Sequence, residues 1–337
     1  MADDETRPDN DLDPGGLDAG DLEDGPSPVI DPEEVVRALS AGQTLGQEQL
    51  RALSTPPDEL VGRMLSVWPA MEPQRRREVL AAMQHLAADD ATLDFHRIHL
   101  SALRDQDAAT RILAVRGLWE QEREDYMRLL IDQLKTDPEA SVREAVAEVL
   151  GNFVLSMEFG LLDEETSADL ASALRETVED VNEAEEVRAA AMAALGASSE
   201  DWVAELIGEQ YENGGSRMRT AALQAMGRNA DEQWLQVLLY NFDDDDPQVR
   251  AAAAMATGQL LMEEAIDALL TLVDDTDEEV QVAAIKAIGE IAGEGAERIL
   301  TDLTGRQEPH VRDAAREALI GAQLVGMDYV DDSPEDD

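Results

Sequence analysis

The feature that most constrains this chain is a short phrase that returns every 31 residues through its second half. The spacing is constant over five consecutive positions, Arg188, Arg219, Arg250, Gln281 and Arg312. A fixed period of this length indicates stacked supersecondary units, each burying its apolar face against its neighbours. Arg143 and Arg111 extend the series towards the N-terminus at intervals of 45 and 32 residues, so the repeat covers most of the chain.

Each unit reads as two helices. The first is amphipathic, as in Ile266, Leu269, Leu270 and Val273, which follow helical spacing. The second begins after an acidic capping residue, often with proline in its first turn, as at Asp246 and Pro247. Second helices are predicted to start near Ala108, Ala140, Glu185, Ser216, Pro247, Glu278 and Pro309.

The small residues of the phrase also have structural roles. A valine precedes the arginine and is expected to seal the start of the second helix. Alanines allow close helix packing. Eight residues after the arginine position a glycine often follows, which we expect to end the helix in the left-handed conformation. These glycines are Gly151, Gly196, Gly227, Gly258 and Gly289.

The two ends of the chain depart from the repeat. Residues 1–30 are rich in Asp, Gly and Pro and are predicted to be a disordered acidic arm, and residues 328–337 a similar tail. Residues 31–70 are predicted to form an atypical helical cap. Residues 71–327 form the repeat array, with one degenerate unit at its start and an insertion near 153–169 that lengthens a connection or its helices.

The net charge of −49 excludes several classes of partner. Nucleic acid and anionic membranes attract clustered Lys and Arg, which this chain lacks. Abundant acids with only two lysines are typical of salt-adapted organisms, although a GC-rich genome produces part of the same bias. No secretory signal or membrane span is evident, and cysteine is absent, so we expect a soluble, cytoplasmic and monomeric protein.

The arginine column is the one polar position repeated throughout. It comprises Arg111, Arg143, Arg188, Arg219, Arg250 and Arg312. It could be a ladder for an anionic ligand. The favoured interpretation is structural, with each guanidinium paired to a carboxylate in the turn of its own or the next unit, because unpaired buried arginines are very costly. The one dense basic run is a second candidate contact for a partner, unless it is ordinary helix surface: Arg75, Arg76 and Arg77.

The phrase resembles HEAT repeats, through Asp-Pro-x-Val-Arg-x-x-Ala at residues 246–253 and the ending Ala194-Leu195-Gly196. The short form is similar to the prokaryotic bilin-lyase-like subclass, over roughly residues 70–325. The resemblance implies an all-α fold, an α-solenoid of antiparallel helix pairs whose second helices line the concave side.

The chain lacks the metal-binding residues of an enzyme whose fold it resembles. Deoxyhypusine hydroxylase resembles the fold but binds iron through His-Glu pairs, and no histidine here precedes a glutamate. His96 and His99 are interpreted as exposed helix residues, and Asp243 to Asp246 lack the ligand spacing of a calcium loop. No phosphate loop or nucleophile elbow is present. We therefore expect no catalytic residues, no metal and no cofactor.

One pattern points to a binding surface. One and five residues after the arginine column, the central second helices carry no acid, although more than a fifth of the chain is acidic. This strip comprises Ala189, Ala193, Thr220, Gln224, Ala251, Met255, Val282 and Lys286. It is either a groove for a partner helix or extended segment, or packing between second helices. The leading function is a protein-binding scaffold; the alternative is a client-binding module of an enzyme or cofactor-maturation system.

Overall fold

The computed structural model describes residues 31–119, 121 and 123–328, and every regular element in those ranges is helical. The predicted disordered arm and nearly all of the predicted acidic tail lie outside the described residues. The α-helices are α1 (Pro32–Ser40), α2 (Gln47–Arg51), α3 (Asp58–Val67), α4 (Pro73–Asp89), α5 (His96–Ala102), α6 (Ala108–Arg116), α7 (Glu124–Thr136), α8 (Ala140–Glu158), α9 (Glu164–Glu179), α10 (Glu185–Leu195), α11 (Asp201–Asn213), α12 (Ser216–Asn229), α13 (Leu235–Tyr240), α14 (Pro247–Gln259), α15 (Ile266–Leu272), α16 (Glu278–Ile291), α17 (Gly293–Leu303) and α18 (Pro309–Asp328).

The seven second helices, α6 and every even-numbered helix to α18, begin at the predicted residues. Local chemistry explains several of these starts. Asp246 accepts a hydrogen bond from the Gln248 amide at 2.9 Å and Pro247 occupies the first turn of α14. Asp107 caps α6 in the same way through the amide of Thr110, at 3.0 Å. The helix starts are therefore encoded locally.

The units stack mainly through their second helices. Each second helix contacts its own first helix and the second helices before and after it, and the contacts between successive second helices are the most extensive in the stack. The valine that precedes most of the arginine positions is buried, as Val142, Val187 and Val249 show. One continuous apolar core results, which runs the length of the described chain.

None of the repeated glycines adopts the left-handed conformation, so that prediction is wrong; Gly196 directly follows the last residue of α10, but at φ −53°. Positive φ among described glycines occurs only at Gly42, Gly160 and Gly293. The repeated glycines instead lie where the next second helix comes closest. A Cβ built on Gly258 would meet the Ala287 Cα at 2.6 Å, and one on Gly227 would meet the Ala256 Cα at the same distance. Glycine is present because the next backbone occupies the space of a side chain.

The insertion near 153–169 lengthens the two helices that flank it. Helix α8 has 19 residues, whereas α10, α12 and α14 have 11 to 14, and the first helix α9 has 16. A short connection joins them, with Gly160 at φ +67°. The last turns of α8 therefore extend beyond both neighbouring second helices.

The N-terminal helices continue the stack. Helix α1 begins at the predicted cap, where Asp31 accepts a hydrogen bond from the Glu33 amide at 3.0 Å. Helix α1 packs on α3, α2 on α4 and α3 on α5, while α4 packs on α6. Within the described part of the chain, no helix has the length and apolar character that crossing a bilayer requires.

Candidate partner-binding surface

Four arginines of the column each join their unit to the next. Arg250 in α14 holds Asp275 with two hydrogen bonds, from Nε at 2.8 Å and from Nη2 at 2.7 Å. Its Nη1 donates to the carbonyl of Asp244 at 2.7 Å. Asp275 lies in the turn before the next second helix, whereas Asp244 lies in the turn of the same unit. One guanidinium thus connects two turns, and Arg250 holds the pKa of the Asp275 carboxyl below its ordinary value.

Three other predicted members of the column form similar pairs. They are Arg111 with Asp137, Arg143 with Glu183, and Arg219 with Asp244. Arg188 and Arg312 differ: among the described residues they donate only to backbone carbonyls, of Val178 for the first and of Arg306 and Gln307 for the second. Gln281, at the same register, donates to the Asp275 carbonyl at 2.6 Å.

The structure adds Arg76 to this column, which corrects its predicted place on a partner-binding surface. Arg76 is 6 % exposed and pairs through Nε with Asp105 at 2.9 Å. The signal was present in the sequence, because Glu72 and Pro73 open α4 as Asp246 and Pro247 open α14. A buried, paired guanidinium is not available to a partner.

The other two members of the basic run also contact the chain itself. Arg75 forms an ion pair with Glu78 at 3.1 Å and donates to the carbonyl of Gln43. Arg77 lies 3.5 Å from Asp107. The run therefore does not present three free positive charges.

The eight residues of the strip are mostly half-buried. Ala189 is buried, Gln224 is exposed and the other six lie between these limits. Four of them, Ala189, Ala193, Thr220 and Gln224, line an open groove of about 830 Å³ across α8, α10 and α12. The other four, in α14 and α16, lie outside this groove. The structure thus brings half of the strip into one concave site.

The walls of this groove are charged, which the strip pattern alone did not reveal. Four glutamates line it, Glu144 and Glu148 from α8 with Glu185 and Glu186 from the first turn of α10, and so do two arginines of α12, Arg217 and Arg228. Burial raises the pKa of Glu144, and the nearby Glu148 carboxylate raises it further. Among the described residues only Glu148 has an ion-pair partner, Arg116 at 3.3 Å.

The far end of α8 carries exposed apolar side chains. Leu155 is 46 % exposed, and Phe159, at the helix end, is 75 % exposed. Leu161 in the following connection is 66 % exposed. Asn152, on the same side of α8 and one turn before Leu155, donates a hydrogen bond to the carbonyl of Trp119 at 2.8 Å. Trp119, which is half-exposed, therefore lies near Leu155. Sequence reasoning assigned no role to these residues.

A second cavity, of about 320 Å³, contains both predicted surface histidines. That prediction is wrong for His99, which is 2 % exposed and whose burial lowers its pKa to about 4. Its ring packs directly against Gly117, and its Nδ1 has no hydrogen-bond partner among the described residues. His96 Nδ1 lies 2.5 Å from the Asp94 carboxylate. None of the described residues that line the cavity is Ser, Thr, Cys, Lys or Tyr, so none of these common nucleophiles lies beside the His96–Asp94 pair.

Two of the side chains at Asp243 to Asp246, where the sequence predicts no calcium-type loop, have structural roles. Asp244 pairs with Arg219, and Asp246 caps α14. Over the described ranges, no group of three or more His, Cys, Asp or Glu side chains is arranged to hold a metal ion.

Comparison with known proteins identifies the repeats. A model described as HEAT repeats matches residues 99–186 and 235–320, slightly more than half of the chain. No curated protein matches significantly.

Similar solved structures share low sequence identity. The CpcE–CpcF complex of phycocyanin lyase from a Nostoc species is 16 % identical, with a TM-score of 0.47, covering 91 % of this chain and 99 % of that chain. Human deoxyhypusine hydroxylase is 17 % identical, with a TM-score of 0.34, covering 87 % and 97 %. YibA of Escherichia coli is 16 % identical, with a TM-score of 0.42, covering 82 % and 98 %. None of these likenesses assigns an activity or a partner to this chain.

Proposed function

This chain belongs to the HEAT-repeat family, and from that architecture we propose that it is a non-catalytic scaffold that holds a protein partner against its second helices. Repeat solenoids use extended curved surfaces for binding, since no single unit has a deep pocket of its own. We place the partner on the strip and on the groove that it partly lines.

The observation that carries this proposal is the floor of the groove. Ala189 and Ala193 bring no bulk and no charge, while Thr220 and Gln224 offer uncharged hydrogen-bonding groups. Such a floor lets a helix or an extended backbone come close. The second helices also pack more closely on one another than the first helices do, so we expect the stack to curve towards them and the groove to lie on its concave side.

The repeated polar residues support a structural role for the phrase and leave binding to the positions beside it. Arg250 and Arg143 donate their hydrogen bonds to carboxylates in turns of this chain. Free positive charge is scarce, and the net charge is −49. An anionic ligand bound along the column would have to displace these carboxylates, which makes a protein partner the better fit.

The proposal is tested by adding charge to the groove. We expect Thr220→Glu combined with Gln224→Glu to abolish capture of a partner from extract of the cells that make the protein, because two carboxylates on the floor would be desolvated. The matched control is Ser172→Glu with Thr271→Glu, two exposed positions on first helices.

Thermal unfolding of both variants separates the two interpretations of the strip. A groove predicts an unchanged Tm and lost capture for the Thr220 and Gln224 variant alone. A strongly lowered Tm would instead identify the strip as packing, and capture that survives both substitutions would refute the proposed surface.

A further inference from the structure

The inner face of α8 combines an acidic half with an apolar half. Glu144, Glu148, Leu155 and Phe159 lie within a sector of about 60° around the helix axis. We call these four residues the α8 face. The two glutamates line the groove, whereas Leu155 and Phe159 lie on the turns by which the insertion extends α8 beyond its neighbours.

The apolar half of the α8 face lacks a complement within the described chain, and the acidic half is only partly neutralised, because Glu148 pairs with Arg116 and Arg217 also lines the groove. Phe159 is 75 % exposed although phenylalanine is normally buried. Glu144 has no ion-pair partner among the described residues; burial raises its pKa, and the nearby carboxylates of Glu148 and Glu186 raise it further against the opposing charge of Arg217. Clustered exposed aromatic and aliphatic side chains mark interaction sites. The two halves together specify the occupant more closely than either could alone.

We propose that the α8 face docks a basic amphipathic segment of a partner protein, with cationic side chains at Glu144 and Glu148 and apolar side chains over Leu155 and Phe159. This inference rests on the proposed scaffold function and names the chemistry of its partner. The order along α8 also orients the segment, with its basic half towards the N-terminal end of α8, because the acidic half is N-terminal to the apolar half.

Charge excludes the other candidates for this surface. Residues 1–30 of the chain carry ten acids and one arginine, so this segment would be repelled by Glu144 and Glu148. A second copy would bring a net charge of −49 against the same charge. A cationic partner gains from this field in both affinity and association rate.

The test uses three fluorescein-labelled helical peptides of equal length and measures binding to the full chain by anisotropy. One peptide has a Lys/Arg-rich half followed by a Leu-rich half, the second has Ala in place of Leu, and the third has Glu in place of Lys and Arg. We expect the first to bind at least about tenfold more tightly than the other two, with an affinity that falls as salt is added.

Two pairs of variants locate the binding. The double variant Glu144→Gln with Glu148→Gln should reduce the affinity for the first peptide at least about tenfold at low salt. The double variant Leu155→Ala with Phe159→Ala should reduce that affinity to the same extent at any salt concentration. The charge control is Glu294→Gln with Asp302→Asn on α17, which removes the same net charge elsewhere. The apolar control is Leu129→Ala with Tyr240→Ala, two other exposed side chains.

Each other outcome overturns the inference. Equal loss in the charge control means that the peptide responds to net charge alone, and no preference for the first peptide means that the two halves do not act together. A dimeric mass that becomes monomeric with Phe159→Ala means that a second copy occupies the face. Peptide binding that Thr220→Glu and Gln224→Glu abolish but the α8 variants do not would leave the scaffold function standing and remove only this inference.

Discussion

Residue size sets how closely the second helices of this molecule approach. Each repeated glycine faces an alanine of the next second helix, as Gly196 faces Ala225 and Gly289 faces Ala318. The distances leave no room for a methyl group except at Gly151, where the nearest atom would lie 3.4 Å away. The contact is thus an interface between backbones, and its strength depends on the absence of side chains.

The first prediction concerns Gly258. We expect Gly258→Ala to lower the free energy of unfolding by about 1–3 kcal/mol, because the new Cβ would lie 2.6 Å from the Ala287 Cα. Gly208→Ala, in α11 and with no atom within 4 Å of the built Cβ, should raise it by about 0.5–1 kcal/mol through helix propensity. Urea unfolding of both variants checks the pair, and equal effects would refute the close approach.

His99 is the buried group whose protonation the fold opposes most clearly. Its ordinary pKa is 6.5 and burial lowers it to about 4 in the folded chain. Between these two values the unfolded chain binds a proton that the folded chain does not. The stability due to neutral His99 is therefore fully present above pH 6.5 and is lost as the pH falls towards about 4.

We expect this loss to reach about 3 kcal/mol on acidification from neutral pH. Denaturant unfolding of the wild type and of His99→Gln at several pH values isolates it, since the variant should lose less stability over the same range. His85→Gln, at an exposed position in α4, serves as the control and should follow the wild type. Parallel curves for wild type and His99→Gln would contradict the burial of a neutral imidazole.

At the scale of the elements, ion pairs fix the register between units. Arg250 binds the turn that precedes α16 and also the turn of its own unit. Arg111, nearer the N-terminus, makes the equivalent contacts with the turn that precedes α8 and with its own turn. Asp275 also accepts a hydrogen bond from the Asp277 amide at 2.8 Å. One carboxylate therefore stabilises its own turn and pairs with the arginine of the preceding unit. Removing either partner leaves a largely buried charge uncompensated.

The prediction at this scale concerns Asp275→Asn. We expect it to cost about 2–4 kcal/mol at neutral pH, whereas Asp274→Asn, which removes a more exposed pair with Arg306, should cost less than about 1 kcal/mol. Because Arg250 holds the pKa of Asp275 below 3.8, the stability from this group is present above that pH and is lost as the pH falls through the folded pKa. The difference between wild type and variant should therefore shrink in acid, and a constant difference would contradict the ion pair.

Features set by neighbouring residues could be predicted from the sequence, and features set by packing could not. The start of α14 follows from Asp246 and Pro247, which act within one turn, and all seven second-helix starts were predicted correctly. The role of Gly258 depends on a helix 29 residues further on, which no local rule contains. Half of the residues of the acid-free strip line the groove. Glu144 also lines the groove, but it belongs to α8, a second helix that contributes no residue to the strip.

At the scale of the whole molecule, structure and binding use different columns of the same repeat. The residues at recurring positions, such as Arg250 and Gly258, form the contacts between units. Most of the positions that vary beside them are at least partly exposed, and the insertion that breaks the period exposes Phe159. A surface built in this way can change its partner without changing its fold.

Hydrogen exchange on the complex of the full chain with its captured partner tests this division most directly. We predict that the partner slows amide exchange along α8, α10 and α12, whose side chains form the groove, and leaves the first helices α7, α9 and α11 unchanged. Protection confined to the first helices, or spread evenly over the stack, would contradict the claim that the second helices carry the binding surface.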